Sequence, residues 1–538
     1  MRNPSLRERV AARTAPPRRG RARRGVAWLV LTAFYLTPPG VPVAWAAPEG
    51  MQVEVGSATL TVNGSDSVIS TETQQTIVGV DSIDVARDES LHVEQPTSDS
   101  RFLAKVHPGA PPTDISGVLS SNAVVYILNT AGVFFGNEAV VDVGRLVAGA
   151  GALSDEDFLA GRDRFTDLSG PVEVAAGAQL QADSVALLGR TVANHGTILA
   201  PDGMIALVAG GEVLLTSLDG RVRVRVEAPP EDPGGWAVQQ TGTLDAGSGS
   251  VVLAAGDAYS LAMNHTGITR GRDVQLEGGD GGLVAVAGSI DASSHEPGGR
   301  GGSIRALGDR VAVLDAVLDA SGDAGGGEIL VGGDFRGEGD LRTARRTYVS
   351  DEAVLRADAL EQGDGGRIIV WADEKTGFYG TLSARGGRAG GDGGFAEISG
   401  KLSLESRGDI DLSAPAGHSG ALLYDPEMIE IVGGAPGPPP DPPDGSDVND
   451  DADLLAGDSG AAGVILLSDV GDTAGVAPFI IYESEIEGTD ADIFLEAGRS
   501  VLARGTFDHQ TVDDEGVSEG PNVVRLIRDN GLFIATGT

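Results

Sequence analysis

"GTILAPDGMIALVAGG" (residues 196–211) and "GTLDAGSGSVVLAAGD" (242–257) are one phrase written twice: a glycine, a short apolar strand, a glycine turn, then a second alternating apolar strand. The phrase returns in "VLDASGDAGGGEILVGGD" (317–334), "TLSARGGRAGGDGGFAEISG" (381–400) and "DIDLSAPAGHSGALLYDP" (409–426). Taking the glycine before the second strand as a marker gives Gly203, Gly249, Gly282, Gly302, Gly327, Gly366, Gly394 and Gly420, spaced 20 to 46 residues apart. One such unit cannot bury its own apolar side chains, whereas stacked copies bury a continuous core, which is the logic of a β-solenoid. Glycine is expected to supply positive φ at the corners, and Val, Ile and Leu at alternate positions to point inward.

Composition agrees. Glycine accounts for 80 of 538 residues, aromatics for only 4%, and cysteine is absent, so the apolar surface is expected in many thin repeated layers. At 41% hydrophobic the chain is too apolar for disorder. Helical patterns are nearly absent after residue 47. The exception is "SDEDFLAG" (154–161), with Ser154 as N-cap, acids in the first turn and Gly161 beyond the end.

The N-terminus reads as a secretory signal over residues 1–46. Nine arginines precede the uncharged run "GVAWLVLTAFYL" (25–36), and Ala44 and Ala46 give an A-x-A cleavage pattern. A 12-residue apolar core is too short to span a bilayer, which needs about 20 residues. No later run suggests an integral membrane segment. Nine of the 39 basic residues and one of the 78 acidic residues lie in that leader, leaving 30 against 77, a net charge of −47. Such a surface repels nucleic acid and argues against it as a partner. An exported chain without cysteine relies on no disulfide.

Further on, "GGAPGPPPDPPDGSDVNDDADLLAGDSG" (433–460) reads as a Pro/Gly/Asp linker. Beyond it, 461–538 resumes strand patterns and stops at "GLFIATGT" without an obvious capping unit, the expectation for a truncated product or an end finished by other means.

The stretch "SGVLSSNAVVYILNTAGVFFGNEAVVDVGRLVAGAGALSDEDFLAG" (116–161) resembles the N-terminal two-partner secretion (haemagglutination activity) domain of filamentous haemagglutinin-type exoproteins. In that family a G-x-L-x-x-N-x-x-V-x-x-x-N-P-N-G-x-x-F-G segment leads to V-x-V-G-x-L-V-A and D-F-x-x-G. The matching residues are Gly117, Leu119, Asn122, Val125, Asn129, Gly132, Phe135, Gly136, Val141, Val143, Gly144, Leu146, Val147, Ala148, Asp157, Phe158 and Gly161. Asn122, Asn129, Gly132, Phe135, Gly136, Val143, Gly144 and Leu146 form the candidate secretion motif. One departure stands out: Thr130 and Ala131 replace the proline and asparagine of the family turn, and the lost proline no longer presets φ.

The resemblance implies an all-β, right-handed parallel β-helix with short extra-helical hairpins and an N-terminal cap. It implies a secretion domain over 47–290, with β-helix continuing through 291–432. It also implies export through the periplasm of a Gram-negative bacterium by an outer-membrane β-barrel transporter of the Omp85 type, to a secreted or cell-surface location. An adhesin or haemagglutinin-like role follows, with a host or bacterial receptor or a glycan as ligand. The alternatives are the N-terminal part of a contact-dependent toxin, or a β-helical polysaccharide-active enzyme.

No catalytic constellation separates itself from the background. Among 77 acids, chance carboxylate pairs are certain. The seven histidines (His92, His107, His195, His265, His295, His418, His509) show no metal-ligand spacing. The "GGDGG" clusters (278–282, 390–394) lack the tandem copies of calcium-binding β-rolls and read as polar turns. The chain is therefore read as a non-enzyme without metal or cofactor.

Overall fold

The computed structural model describes residues 48–218, 221–227, 234–432, 479–482, 491–497, 500–504, 524–528 and 534–536. Ala44, Ala46 and the 433–460 linker lie outside them. The described chain winds as a right-handed parallel β-helix whose rungs each lay one short strand on each of three columns. In one rung these are Thr243–Asp245, Ser250–Ala255 and Met263–His265, and each pairs in parallel with the equivalent strand of the next rung, Ile268–Arg270, Asp273–Glu277 and Leu283–Val286. The stack passes through residue 290 inside strand Ser289–Asp291. Columns one and two share one sheet because Val140–Gly149 and Gln179–Gly189 run around the corner between them without a break. The third column is a separate 11-stranded sheet.

The core is built by alternation. Along Met204–Ala209, Ile205, Leu207 and Ala209 point inward, and Val251, Leu253 and Ala255 stack on them from the next rung. In the first column Leu244, Ile290, Leu318, Leu355 and Leu382 fill the same inward position. The small residue two places on is Ala246, Ala292, Ala320, Ala357 or Ala384, where the chain turns away from the core. The preceding aspartates of the D-A pairs face outward and fold back on the turn: Asp291 accepts from the Ser293 amide at 3.0 Å and Asp319 from the Ser321 amide at 2.9 Å.

The marker glycines form a ladder, but for a reason other than φ. None of Gly203, Gly249, Gly302, Gly327, Gly366, Gly394 and Gly420 has a positive φ among the described residues. What excludes a side chain is space: a Cβ on Gly366 would overlap the Gly327 carbonyl oxygen, one on Gly394 that of Gly366, and one on Gly420 that of Gly394. Those carbonyls accept inter-rung hydrogen bonds, from the Arg367 amide to Gly327 and from the Phe395 amide to Gly366, both at 2.9 Å. Gly282 is not part of this ladder. The equivalent position in its rung is Arg272, whose amide donates to the Gly249 carbonyl at 2.8 Å.

The repeat also has a third strand that the two-strand phrase omits. Most of its inward positions are apolar, but on three successive rungs one of them is polar: the Asn194 amide donates to Gln240 Oε1 at 2.8 Å, and His265 Nδ1 lies 2.8 Å from the Ala287 carbonyl with Nε2 2.9 Å from Thr269 Oγ1. Fully buried, His265 has its pKa pushed down by burial, and the neutral ring donates to the carbonyl and accepts from the hydroxyl.

The N-terminal end is closed by antiparallel pairing, Gln52–Val55 on Gln75–Val80 and Ala58–Asn63 on Asp66–Thr71, which covers the first rung's edge. The "GGDGG" acids sit in inter-rung stitches: Asp392 accepts from the His418 amide and its own amide donates to Asp364, each at 2.8 Å, and the Asp280 amide donates to Asp257 at 2.9 Å. Between strands Glu328–Val331 and Arg346–Val349 the chain leaves the helix and lays Phe335 and Leu341 against Leu330, Ile369 and Trp371 on the outer face of column two. There the Arg336 amide donates to both oxygens of the buried Glu397, at 3.2 and 3.0 Å.

Two predictions follow from the packing. Gly366→Val should destabilise its rung by about 2 kcal/mol or more through overpacking, read as a lower urea midpoint. Burial, reinforced by the charge of Asp425, raises the Glu397 pKa from 4.5 to about 7 against the opposing Arg336 and Ser399 contacts. A carboxyl whose folded pKa is raised contributes its full stability below about pH 4.5 and loses it as pH climbs through 7. Amide exchange in strand Phe395–Gly400, corrected for intrinsic rate, should therefore be faster at pH 8 than at pH 5, and Glu397→Gln should remove the difference.

Candidate functional site

Residues 129–149, the centre of the candidate motif, hold the third-column strand Val133–Phe135 of one rung and the whole strand Val140–Gly149 of the next. Asn122 stands at the corner before strand Val124–Leu128 and clamps the backbone of the preceding rung. Its Oδ1 accepts from the Gln95 amide at 2.9 Å and its Nδ2 donates to the Gln95 carbonyl at 2.7 Å. Asn129 is buried. It donates to the Pro111 carbonyl at 2.8 Å and to Thr113 Oγ1 at 3.0 Å, while its Oδ1 accepts from the Ala131 amide at 2.9 Å.

The turn that lacks the family proline still closes. The Gly132 amide donates to the Asn129 carbonyl at 2.9 Å. Neither Thr130 nor Ala131 has a positive φ, so the central positions suit ordinary residues, as in a type I turn. Gly132 itself has φ +129°, and a Cβ there would meet the Pro171 carbonyl oxygen at 2.8 Å. Gly136 has no room because of Ser116, and at Gly144 a Cβ would lie 3.0 Å from the Ala123 carbonyl oxygen. Phe135, Val143 and Leu146 fill the core. The eight motif residues are thus brought together in two adjacent rungs as turn formers and core.

The outer face of the same rungs carries a second layer. The helix Asp155–Leu159 forms where Ser154 Oγ accepts from the Asp157 amide at 3.1 Å and where three acids occupy the first turn. Gly161, at φ +72°, ends it. Strand Asp163–Thr166 returns beside Ala152–Leu153 and pairs antiparallel with Glu212–Leu218, which pairs with Arg221–Glu227. This small sheet covers the outward row Ile77, Leu103, Tyr126, Val147 and Ala186 with Leu153, Phe158, Phe165, Val213 and Leu215.

A polar knot ties the two layers. Arg101 donates to Asp163 Oδ1 at 2.9 Å, to the Tyr126 hydroxyl at 2.6 Å and to the Phe158 carbonyl at 2.7 Å. Tyr126 donates to the same Asp163 oxygen at 2.9 Å, and Arg145 reaches the other at 3.0 Å. The Arg101 guanidinium lies 5.0 Å from the Tyr126 ring centre and 4.6 Å from that of Phe158, and the two rings meet edge to face. Burial, with the Asp163 charge, pushes the Tyr126 pKa up against the two arginines, so the hydroxyl stays a donor. Lys105 adds a contact to Asp155 at 2.8 Å and one to Glu54.

Asp163 and its partners were not evident from the chain alone. The one available signal was Arg145, the sole basic residue between 129 and 149.

The described residues thus define a parallel β-helix with an antiparallel outer layer and an antiparallel cap. Residues 46–306 match the family model described as TPS secretion domain, and this part of the chain is a two-partner secretion domain. The crystal structure of the HMW1 secretion domain from Haemophilus influenzae superposes with a TM-score of 0.59 at 23% identity, covering 68% of this chain and all of that one. The heme/hemopexin-binding protein of Haemophilus influenzae is 27% identical over 190 residues, which are 34% of this chain and 21% of that protein. The match thus spans about a fifth of that relative's length.

Asn129→Ala strands buried groups at Pro111, Thr113 and Ala131 and should cost about 2 kcal/mol or more. Thr130→Pro should change stability by about 1 kcal/mol at most. Urea unfolding of the two variants checks both.

Proposed function

We propose that the chain is exported across the outer membrane of a Gram-negative bacterium by a dedicated β-barrel transporter of the Omp85 type and serves outside as an adhesin-like surface or matrix protein. The family match over residues 46–306 carries this reading. In it the motif residues Asn122, Asn129, Gly132, Phe135, Gly136, Val143, Gly144 and Leu146 act by shaping the first rungs. They form turns and core, so the transporter meets them before folding, through backbone edges that accept strand addition.

Rung formation outside the cell then buries apolar area at about 25 cal/mol per Å² and biases movement outward. The division at residue 290 marks the end of the recognised part, with the continuing β-helix as passenger. The similarity to a heme/hemopexin-binding protein points to binding of heme or hemopexin as a second passenger role, tested by binding of each to the exported chain.

Export of the full chain with and without a co-expressed β-barrel transporter of this type decides the matter. Full-length product should reach the medium or cell surface only with the barrel present, and equal export in both cases would sink the proposal.

A further inference from the structure

The outer layer is assembled from parts of the chain that lie far apart in sequence. The helix and strand Asp163–Thr166 leave from the end of strand Val140–Gly149, but the strand that completes their sheet, Glu212–Leu218, follows only after strands Gln179–Gly189 and Met204–Ala209 have been laid down. Before that, the layer consists of a five-residue helix and a two-residue antiparallel pairing, too little structure to stand alone.

Asp163 occupies the point where several rungs are read together. Arg101, Val124 and Arg145 form one outward row on three successive rungs, and Tyr126 lies in the neighbouring row on the middle one. The two arginines that reach opposite oxygens of Asp163 are thus two rung spacings apart, each about 4.8 Å. A slip of any of these strands by one residue would turn its side chain to the other face of the sheet and remove it from the carboxylate. The helix adds contacts from other positions: Gln75 donates to the Leu159 carbonyl at 3.1 Å, and Lys105 reaches Asp155.

We propose that the extra-helical layer is a latch in which Asp163 is a positioning residue. It engages only when the rungs carrying Arg101, Tyr126 and Arg145 are in register, and strand Glu212–Leu218 closes it. The proposal rests on the secretion reading for its purpose: the first rungs of the exported domain resist reopening only after residue 218 has folded outside.

The test is hydrogen exchange on the purified full chain, comparing wild type with Asp163→Asn, Arg145→Met and Val213→Asp. Asp163→Asn and Val213→Asp should each speed exchange of the 163–166 amides about tenfold or more, with Arg145→Met intermediate, while strand Glu328–Val331 keeps its wild-type protection. Exchange at 163–166 within about twofold of wild type in Asp163→Asn overturns the proposal. So does protected 163–166 in Val213→Asp, or loss of protection in all rungs alike, which would make Asp163 a general stabiliser. If Asp163→Asn fails to fold, Arg145→Met, which keeps the aspartate and removes one guanidinium, gives the same reading at lower amplitude. Export of wild type without the barrel would defeat the secretion reading and leave the exchange result intact.

Discussion

The solenoid depends on parallel hydrogen bonding between successive rungs, which sets equivalent residues directly above one another at about 4.8 Å. At that spacing a side chain interacts chiefly with its own counterpart in the neighbouring rung. Leu on Leu and Ala on Ala fill the core of the first column, and glycine on glycine lets backbone approach backbone at the corner. Carboxylates at the turns stitch one layer to the next, as Asp364 and Asp392 do. A chain with 4% aromatics can build a continuous core this way, because each rung contributes only a thin layer.

The same stacking leaves an outward apolar row on column two, and the chain covers it twice. Near the N-terminus the cover is the helix and antiparallel sheet held by Asp163; further along it is the excursion that lays Phe335 and Leu341 on Leu330 and Trp371. In both places a carboxylate sits between the solenoid and its cover. Burying such a group is costly unless its oxygens are occupied. Asp163 has two arginines and a tyrosine, whereas Glu397 has backbone and hydroxyl donors and is left with a raised pKa. The first arrangement binds charge to charge and depends on register. The second makes the local fold sensitive to pH.

The turn at Asn129 illustrates how a family pattern can be altered without loss of geometry. Proline in that turn would preset a φ value, but the bend is also imposed from outside by the three hydrogen bonds of the Asn129 side chain and by the close approach of Gly132 to Pro171. Thr130 and Ala131 need only be compatible with negative φ.

What the amino-acid sequence determined by itself was whatever repeats as an apolar or glycine pattern or caps locally. The apolar alternation in the first two columns, the marker glycines at seven of eight positions, and the helix between Ser154 and Gly161 all depend on neighbours in the chain or on recurrence along it. The third column stayed hidden because strands such as Val238–Gln240 and Met263–His265 are three residues long and turn polar side chains inward, which erases the hydrophobic signal. Arg272 took the place expected of Gly282 because the ladder is defined by the carbonyl beneath it, a neighbour more than 20 residues away. Only the tertiary structure could join Arg101, Tyr126, Arg145 and Asp163, since their meeting is fixed by the winding of three rungs and the return of one strand, and no local pattern encodes that geometry.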